Sequence, residues 1–134
     1  KKTAPEVQTL PLYWLIVRNQ DGAILLEKRP AKGIWGGLYC VPCFETLNET
    51  YVCAEKLGIF SDDLSEQPAL THRLTHRLLM ITPFEAQISS SDTLRHSENA
   101  SKDNRFWVKP ENLADYGLPK PLADYLKQRQ QALF

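Results

Sequence analysis

Gly33-Ile34-Trp35-Gly36-Gly37-Leu38-Tyr39-Cys40-Val41-Pro42 leads into a stretch that ends Glu55-Lys56-Leu57-Gly58-Ile59. The first part is rich in glycine, proline and aromatics, and is too apolar for an ordinary loop. Residues 46–57 read as a helix whose buried face would draw on Leu47, Val52 or Tyr51, Ala54 and Leu57. Gly58 then stands where a helix usually stops. Working outward, residues 12–17 form a β-rich apolar run, Asn19-Gln20-Asp21-Gly22 is a hairpin turn signal, and residues 23–29 read as the return strand. On the other side, residues 61–68 are an acidic loop. Residues 69–88 hold strand signals on both sides of a polar break, which predicts a second hairpin. Residues 89–103 read as a polar connector. Arg105-Phe106-Trp107-Val108 is a short strand, Pro110 opens a brief helical turn, and Pro119 or Pro121 starts a last helix through Tyr125 and Leu126. Helices interleaved with antiparallel hairpins place the chain in the α+β (mixed α/β) class.

The chain has 134 residues, 43% apolar and 24% charged, which suits one globular domain. At that length roughly two-thirds of the unfolded surface is buried, so the core needs no cross-links. No apolar run is long enough to span a membrane. Residues 1–9 carry lysines without an apolar h-region, so they do not read as a signal peptide. Residues 1–11, with two prolines and two lysines, read as an inter-domain linker remnant, and residues 12–134 as the domain.

Sixteen basic residues balance sixteen acidic ones, which excludes a uniformly basic coat for nucleic acid but allows local patches. Residues 45–66 carry Glu45, Glu49, Glu55, Asp62, Asp63 and Glu66 against a lone Lys56. Arg73 and Arg77 stand beside His72 and His76, and Lys28, Arg29 and Lys32 form another basic group. Cys40 and Cys43 have CxxC spacing, but a zinc site needs more ligands, and neither a second CxxC nor an HxxxH follows close by. His72 and His76 interrupt a β-like stretch. The three cysteines are therefore expected to be reduced and buried as small hydrophobes, with no metal.

With Gly37 as its first glycine, the segment that closes on Gly58-Ile59 resembles the Nudix family. That signature runs Gly, five residues, Glu, seven residues, then Arg-Glu-apolar-x-Glu-Glu-x-Gly-apolar. Cys43 stands at the first Glu position, Tyr51 at the Arg, Val52 at the next Glu, and Glu55-Lys56 at the Glu pair. The resemblance implies a mixed sheet flanked by helices and, in active members, carboxylates that hold Mg²⁺ against a diphosphate. Magnesium demands oxygen ligands. Val52 offers none and Lys56 puts a cation where the metal would sit, so the scaffold is expected without its hydrolase.

Leu70-Thr71-His72-Arg73-Leu74-Thr75-His76-Arg77-Leu78, taken with Trp35-Gly36-Gly37-Leu38-Tyr39 and Trp107, resembles the C-terminal domain of the bacterial adenine DNA glycosylases, the MutY family. The resemblance covers essentially the whole chain. It implies a DNA-repair domain that reads 8-oxoguanine opposite adenine in duplex DNA, while an N-terminal domain of the same protein excises the adenine. It also implies an iron–sulfur cluster in that other domain, no cofactor in this one, no membrane partner, and a setting in the bacterial cytoplasm beside the nucleoid. The family's Phe-Ser-His lesion loop falls on Leu74, Thr75 and His76. Threonine keeps the hydroxyl, and leucine keeps an apolar wedge without an aromatic face.

The lesion's chemistry suits a hydroxyl independently. Guanine N7 is an acceptor in the major groove. Oxidation at C8 adds an acceptor oxygen and turns N7 into a donor, and a hydroxyl can accept from one and donate to the other. His76 can orient the loop or meet phosphate, and Arg73 and Arg77 can neutralise phosphates. The residues alone leave plainer roles open: Thr75 as a strand residue, Leu74 as core, His76 as packing, and the arginines as solvated. Two rival classes also stand, a nucleotide diphosphate hydrolase and a non-catalytic protein-interaction module using the acidic face.

Overall fold

β1 (Gln8–Arg18) sorts the core, because a strand sends successive side chains to opposite faces. Leu12, Trp14 and Ile16 pack with Ile24, Leu26, Leu79, Ile81, Leu122 and Leu126 on one face. Leu15 and Val17 pack with Leu25, Cys53, Ala54, Leu57 and Ile59 on the other. A run that is apolar at every position is the pattern of a strand covered on both faces. The computed structural model describes residues 7–88 and 105–132; the connector expected over 89–103 lies outside them.

The remaining strands are β2 (Ile24–Lys28), β3 (Tyr39–Cys40), β4 (Cys43–Phe44), β5 (Ser65–Glu66), β6 (Leu70–Arg73), β7 (Arg77–Gln87) and β8 (Arg105–Val108). They form one mixed sheet of eight strands. β1 runs parallel to β7 from Gln8↔Arg77 to Arg18↔Gln87, and antiparallel to β2 and β4 on its other edge. β5 and β6 pair with the far edge of β7, and β8 with β2. α1 (Leu47–Lys56) covers one face and α2 (Lys120–Ala132) the other. The expected mixed sheet flanked by helices is present.

Three expectations change. The sheet begins at Gln8, not Leu12, so residues 8–11 belong to it rather than to a linker. The prolines had hidden this, but over residues 8–12 the described residues pair β1 on one side only, where Pro11 is tolerated. The acidic loop contains a 3-10 turn (Ser61–Asp63) and then β5. The face of α1 is only partly the expected one: Ala54 and Leu57 are buried, but Leu47, Tyr51 and Val52 are exposed, and Thr50 and Cys53 are buried instead. Small side chains let this short helix lie close on the sheet, and Thr50 satisfies its hydroxyl by donating to the Thr46 carbonyl at 3.0 Å. Thr46 caps the start, accepting from the Glu49 N–H at 3.1 Å. The end closes as expected: with Gly58 at φ +83°, Gly58 N–H donates to Glu55 O and Ile59 N–H to Ala54 O, both at 2.9 Å.

α2 is tied to β7 by a polar cluster. Glu85, only 8% exposed, accepts two hydrogen bonds from Arg129, at 2.9 Å each, and one from the Tyr125 hydroxyl. Arg18 approaches the same carboxylate at 3.4 Å. Burial works to raise the Glu85 carboxyl, but the Tyr125 and Arg129 hydrogen bonds and the nearby guanidiniums outweigh it and hold the group below its ordinary value. Burial and the Glu85 carboxylate push the Tyr125 phenol well above its own.

Candidate nucleic-acid interface

β6 and β7 form the second hairpin, in register from Leu70↔Ile81 to Arg73↔Leu78. Leu74 N–H donates to Arg77 O at 2.7 Å, which closes the turn and leaves Thr75 and His76 at its tip. The tip is not a loose loop. Its other side is anchored where Gln8 N–H donates to His76 O at 3.3 Å.

The five residues singled out in the sequence thus lie together on this hairpin, in different settings. Thr75 and His76 are exposed, as are Arg73 and Arg77. Leu74 is half-buried and packs against the core beneath the sheet. Arg73 sits opposite Leu78, the neighbour of Arg77, so the two guanidiniums leave opposite faces of the ribbon. Arg77 lines a cleft of about 380 Å³ with Arg29, Ile34, Phe44, Glu45 and Glu49. His72 points elsewhere, into a smaller cleft with Lys120 and Asp124.

Arg29 was legible only as one member of a basic cluster. Its guanidinium is held against the loop by two hydrogen bonds to Ile34 O, each 3.3 Å. That loop is itself fixed: Gly37 N–H donates to Pro30 O at 3.0 Å, and Leu38 N–H to Trp35 O at 3.1 Å. Gly36 is required there, because a Cβ would lie 2.3 Å from the Ala31 carbonyl oxygen. The loop that carries the Trp-Gly-Gly run therefore contributes Gly33 and Ile34 to the Arg77 cleft.

The positions matching the Nudix carboxylates assemble no magnesium site. Val52 and Lys56 line a cleft with Phe44, Asn48, Glu49 and Arg105, so cations outnumber carboxylates where a metal would need several oxygens. Cys43 is half-buried, and burial pushes its thiol up to about 11 against the pull of Arg29. It is a neutral thiol at physiological pH. Among the described residues no group of three or more His, Cys, Asp or Glu side chains is gathered closely enough to hold a metal ion. The residues present do not fit magnesium.

The sequence profile of the NUDIX domain family matches residues 13–128. The chain belongs to the Nudix family. This Nudix domain is also similar to adenine DNA glycosylases of Buchnera aphidicola. It is 29% identical over 115 residues to the adenine DNA glycosylase of Buchnera aphidicola subsp. Schizaphis graminum, a match covering 85% of the domain and 32% of that protein. Over 122 residues it is 25% identical to the corresponding enzyme of Buchnera aphidicola subsp. Baizongia pistaciae, covering 91% and 33%. The chain thus spans about a third of the length of these relatives. Among solved structures it superposes on the C-terminal domain of mouse MUTYH, crystallised with human PCNA, with a TM-score of 0.65 at 12% identity, covering 91% of this chain and 88% of that one. At that identity the likeness concerns the fold.

Proposed function

We propose that this Nudix domain is the lesion-recognition part of a bacterial adenine DNA glycosylase, acting in the cytoplasm on duplexes that carry 8-oxoguanine opposite adenine. The observation that carries the reading is the hairpin tip: an exposed hydroxyl and imidazole at Thr75 and His76, flanked by arginines on both faces of the ribbon. Similarity to adenine DNA glycosylases over most of the chain supports it. A two-stranded ribbon fits a DNA groove. Arginines leaving opposite faces then meet phosphates on either side, while the tip addresses the base edge. Leu74, half-buried against the core, is placed to set the angle of the tip.

On this reading, excision of adenine, and the iron–sulfur cluster that the glycosylase resemblance implies, belong to the part of such a glycosylase that this chain does not match. Such a cluster needs four thiolates. Here Cys40 and Cys53 are buried, and burial raises the Cys40 thiol well above its ordinary value, so these cysteines do not fit that role.

Two predictions arise from this reading. Isolated protein incubated with nucleoside triphosphates and Mg²⁺ is expected to release neither phosphate nor pyrophosphate above a Glu55→Gln control. Metal-dependent turnover that this substitution abolishes would restore the hydrolase reading. DNA binding by the isolated domain is expected to be weak, since zero net charge gives no long-range attraction. A few phosphate contacts give a log–log salt slope of about two to four. Removing both Arg73 and Arg77 as alanines lowers that slope by about two. Fluorescence anisotropy on 8-oxoguanine:adenine and guanine:adenine duplexes across a salt series measures both, and a slope untouched by the double substitution sinks the patch.

A further inference from the structure

α1 and the segment from Ile59 to Leu64 enclose an open groove of about 720 Å³ that the DNA reading leaves unused. Ala54, Ile59 and Leu64 contribute its inner surface, and Tyr51, Val52 and Phe60 its apolar edges. Phe60 is 69% exposed, with Val52 at 40% and Tyr51 at 37%. Clustered exposed apolar side chains of this kind mark interaction surfaces. The exposure of Phe60 is not slack in the chain. Ile59 beside it is buried and bonded to Ala54 O, and Asp63 N–H donates to Phe60 O at 2.8 Å. The fixed backbone holds the ring out.

Charge identifies the occupant. Glu55 and Asp62 line the groove, and Asp63 and Glu66 lie exposed just beyond it. None of these four carboxylates has an ion-pair partner among the described residues. Lys56 is the lone base in residues 45–66. Such a rim repels phosphate, so duplex DNA does not belong here. A second copy approaching through a two-fold axis would set the same acids against each other.

We propose that this groove docks an amphipathic protein segment in which aliphatic or aromatic side chains are flanked by lysine and arginine. The apolar side chains lie against Phe60, Tyr51 and Val52, while the cations neutralise Glu55 and Asp62. The site is remote from the lesion-reading tip. Ser65 pairs with Glu85 and Tyr51 packs on Phe84, whereas the tip adjoins Arg77. Seven residues of β7 separate the two, about 23 Å of strand. The groove shares no lining residue with the Arg77 cleft, and the proposal stands or falls independently of the DNA reading.

The test uses the whole chain and a labelled synthetic helix of about sixteen residues, with leucines at i, i+3, i+4 and i+7 and lysines elsewhere. Its controls are the same apolar pattern on glutamates and a lysine peptide with its leucines dispersed. Saturable binding of the first peptide alone is expected. Phe60→Ser and Asp62→Lys each weaken it about tenfold, and Met80→Ser, an exposed apolar side chain elsewhere, leaves it unchanged. An excess of 8-oxoguanine duplex does not displace the peptide. The proposal is overturned by an absence of saturable binding, by equal binding of either control peptide, or by affinity indifferent to Phe60→Ser. It is equally overturned if sedimentation shows a dimer that Phe60→Ser dissolves, which would make a second copy the occupant. Phe60 and Asp62 are solvent-exposed, so melting curves of the variants should match the wild type and any loss reads on docking.

Discussion

Glu85→Ala is expected to lower stability by about 2–3 kcal/mol, less than the 3–5 kcal/mol of a fully buried ion pair. The discount reflects Arg129, whose side chain is 38% exposed and stays partly solvated when its partner is removed. The loss arises because Tyr125 and Arg129 on α2, and Arg18 on β1, all converge on this one carboxylate. For a domain of this size the change corresponds to a fall of roughly 6–12 °C in Tm. Glu85→Gln keeps the shape and one acceptor, and falls between wild type and alanine. Urea unfolding at neutral pH checks the ranking. Equal midpoints for wild type and Glu85→Ala would mean that apolar packing of Leu122 and Leu126 alone holds α2.

The same cluster sets a pH dependence. Glu85 titrates below its ordinary value of 4.5 in the folded chain and near that value when unfolded. Its contribution is therefore complete above that pH and is lost as pH falls through the lower, folded value. Wild type should destabilise in that acid window more steeply than Glu85→Gln, and the two curves should converge at the acid end. Parallel curves would show that Glu85 carries no coupled charge.

The fold was legible wherever a local rule coincided with the tertiary one. Residues 12–17, apolar at every position, read as a strand, and the structure places them in β1 with packing on both faces. Asn19 does in the structure what a turn asparagine does, its Oδ1 accepting from the N–H groups of Asp21 and Ala23 at 2.9 Å each. The face of α1 was legible only in part, because size misleads on a short helix. Ala54 and Leu57 were read correctly, but Leu47, Tyr51 and Val52 looked like core while the sheet selected the smaller Thr50 and Cys53. Register against a sheet is a tertiary property, and residue type alone does not carry it. The strand at residues 8–11 was missed for the opposite reason: its ladder partner lies almost seventy residues away, at Arg77–Met80.

The candidate interface was legible as a set of residues but not as a geometry. Spacing alone did not reveal that Arg73 and Arg77 diverge, because that depends on Arg73 pairing with Leu78. Nor did it separate Leu74 from Thr75; the turn bond from Leu74 N–H to Arg77 O makes one an anchor and the other a tip. Arg29 lines the same cleft as Arg77, its guanidinium held to Ile34 O by the folded Gly33–Leu38 loop, whose Gly36 lies close on Ala31.

Thr75 gives the most discriminating test of the DNA reading, in a full-length glycosylase whose catalytic part supplies most of the affinity. If the hydroxyl accepts from N7–H and donates to the C8 oxygen of the lesion, Thr75→Val keeps the side-chain shape and removes only the polar contact. Losing that contact, with a donor and an acceptor of the lesion left unpaired, costs about 1–3 kcal/mol. The loss is expected as poorer preference for 8-oxoguanine over guanine opposite adenine, with binding to undamaged duplex nearly unchanged. Thr75→Ser should be almost silent, because the hydroxyl survives. Leu74→Ala separates anchor from wedge. An anchor packed on the core costs the domain about 1–2 kcal/mol of stability, below the range for a fully buried leucine because Leu74 is only half-buried. A wedge instead weakens binding to both duplexes equally, since apolar insertion carries little base identity. Because Thr75 is exposed and bears no hydrogen bond to the rest of the described chain, Thr75→Val should melt with the wild type. A changed discrimination ratio therefore reports on the lesion rather than on folding, and an unchanged ratio moves the reading of 8-oxoguanine away from this tip.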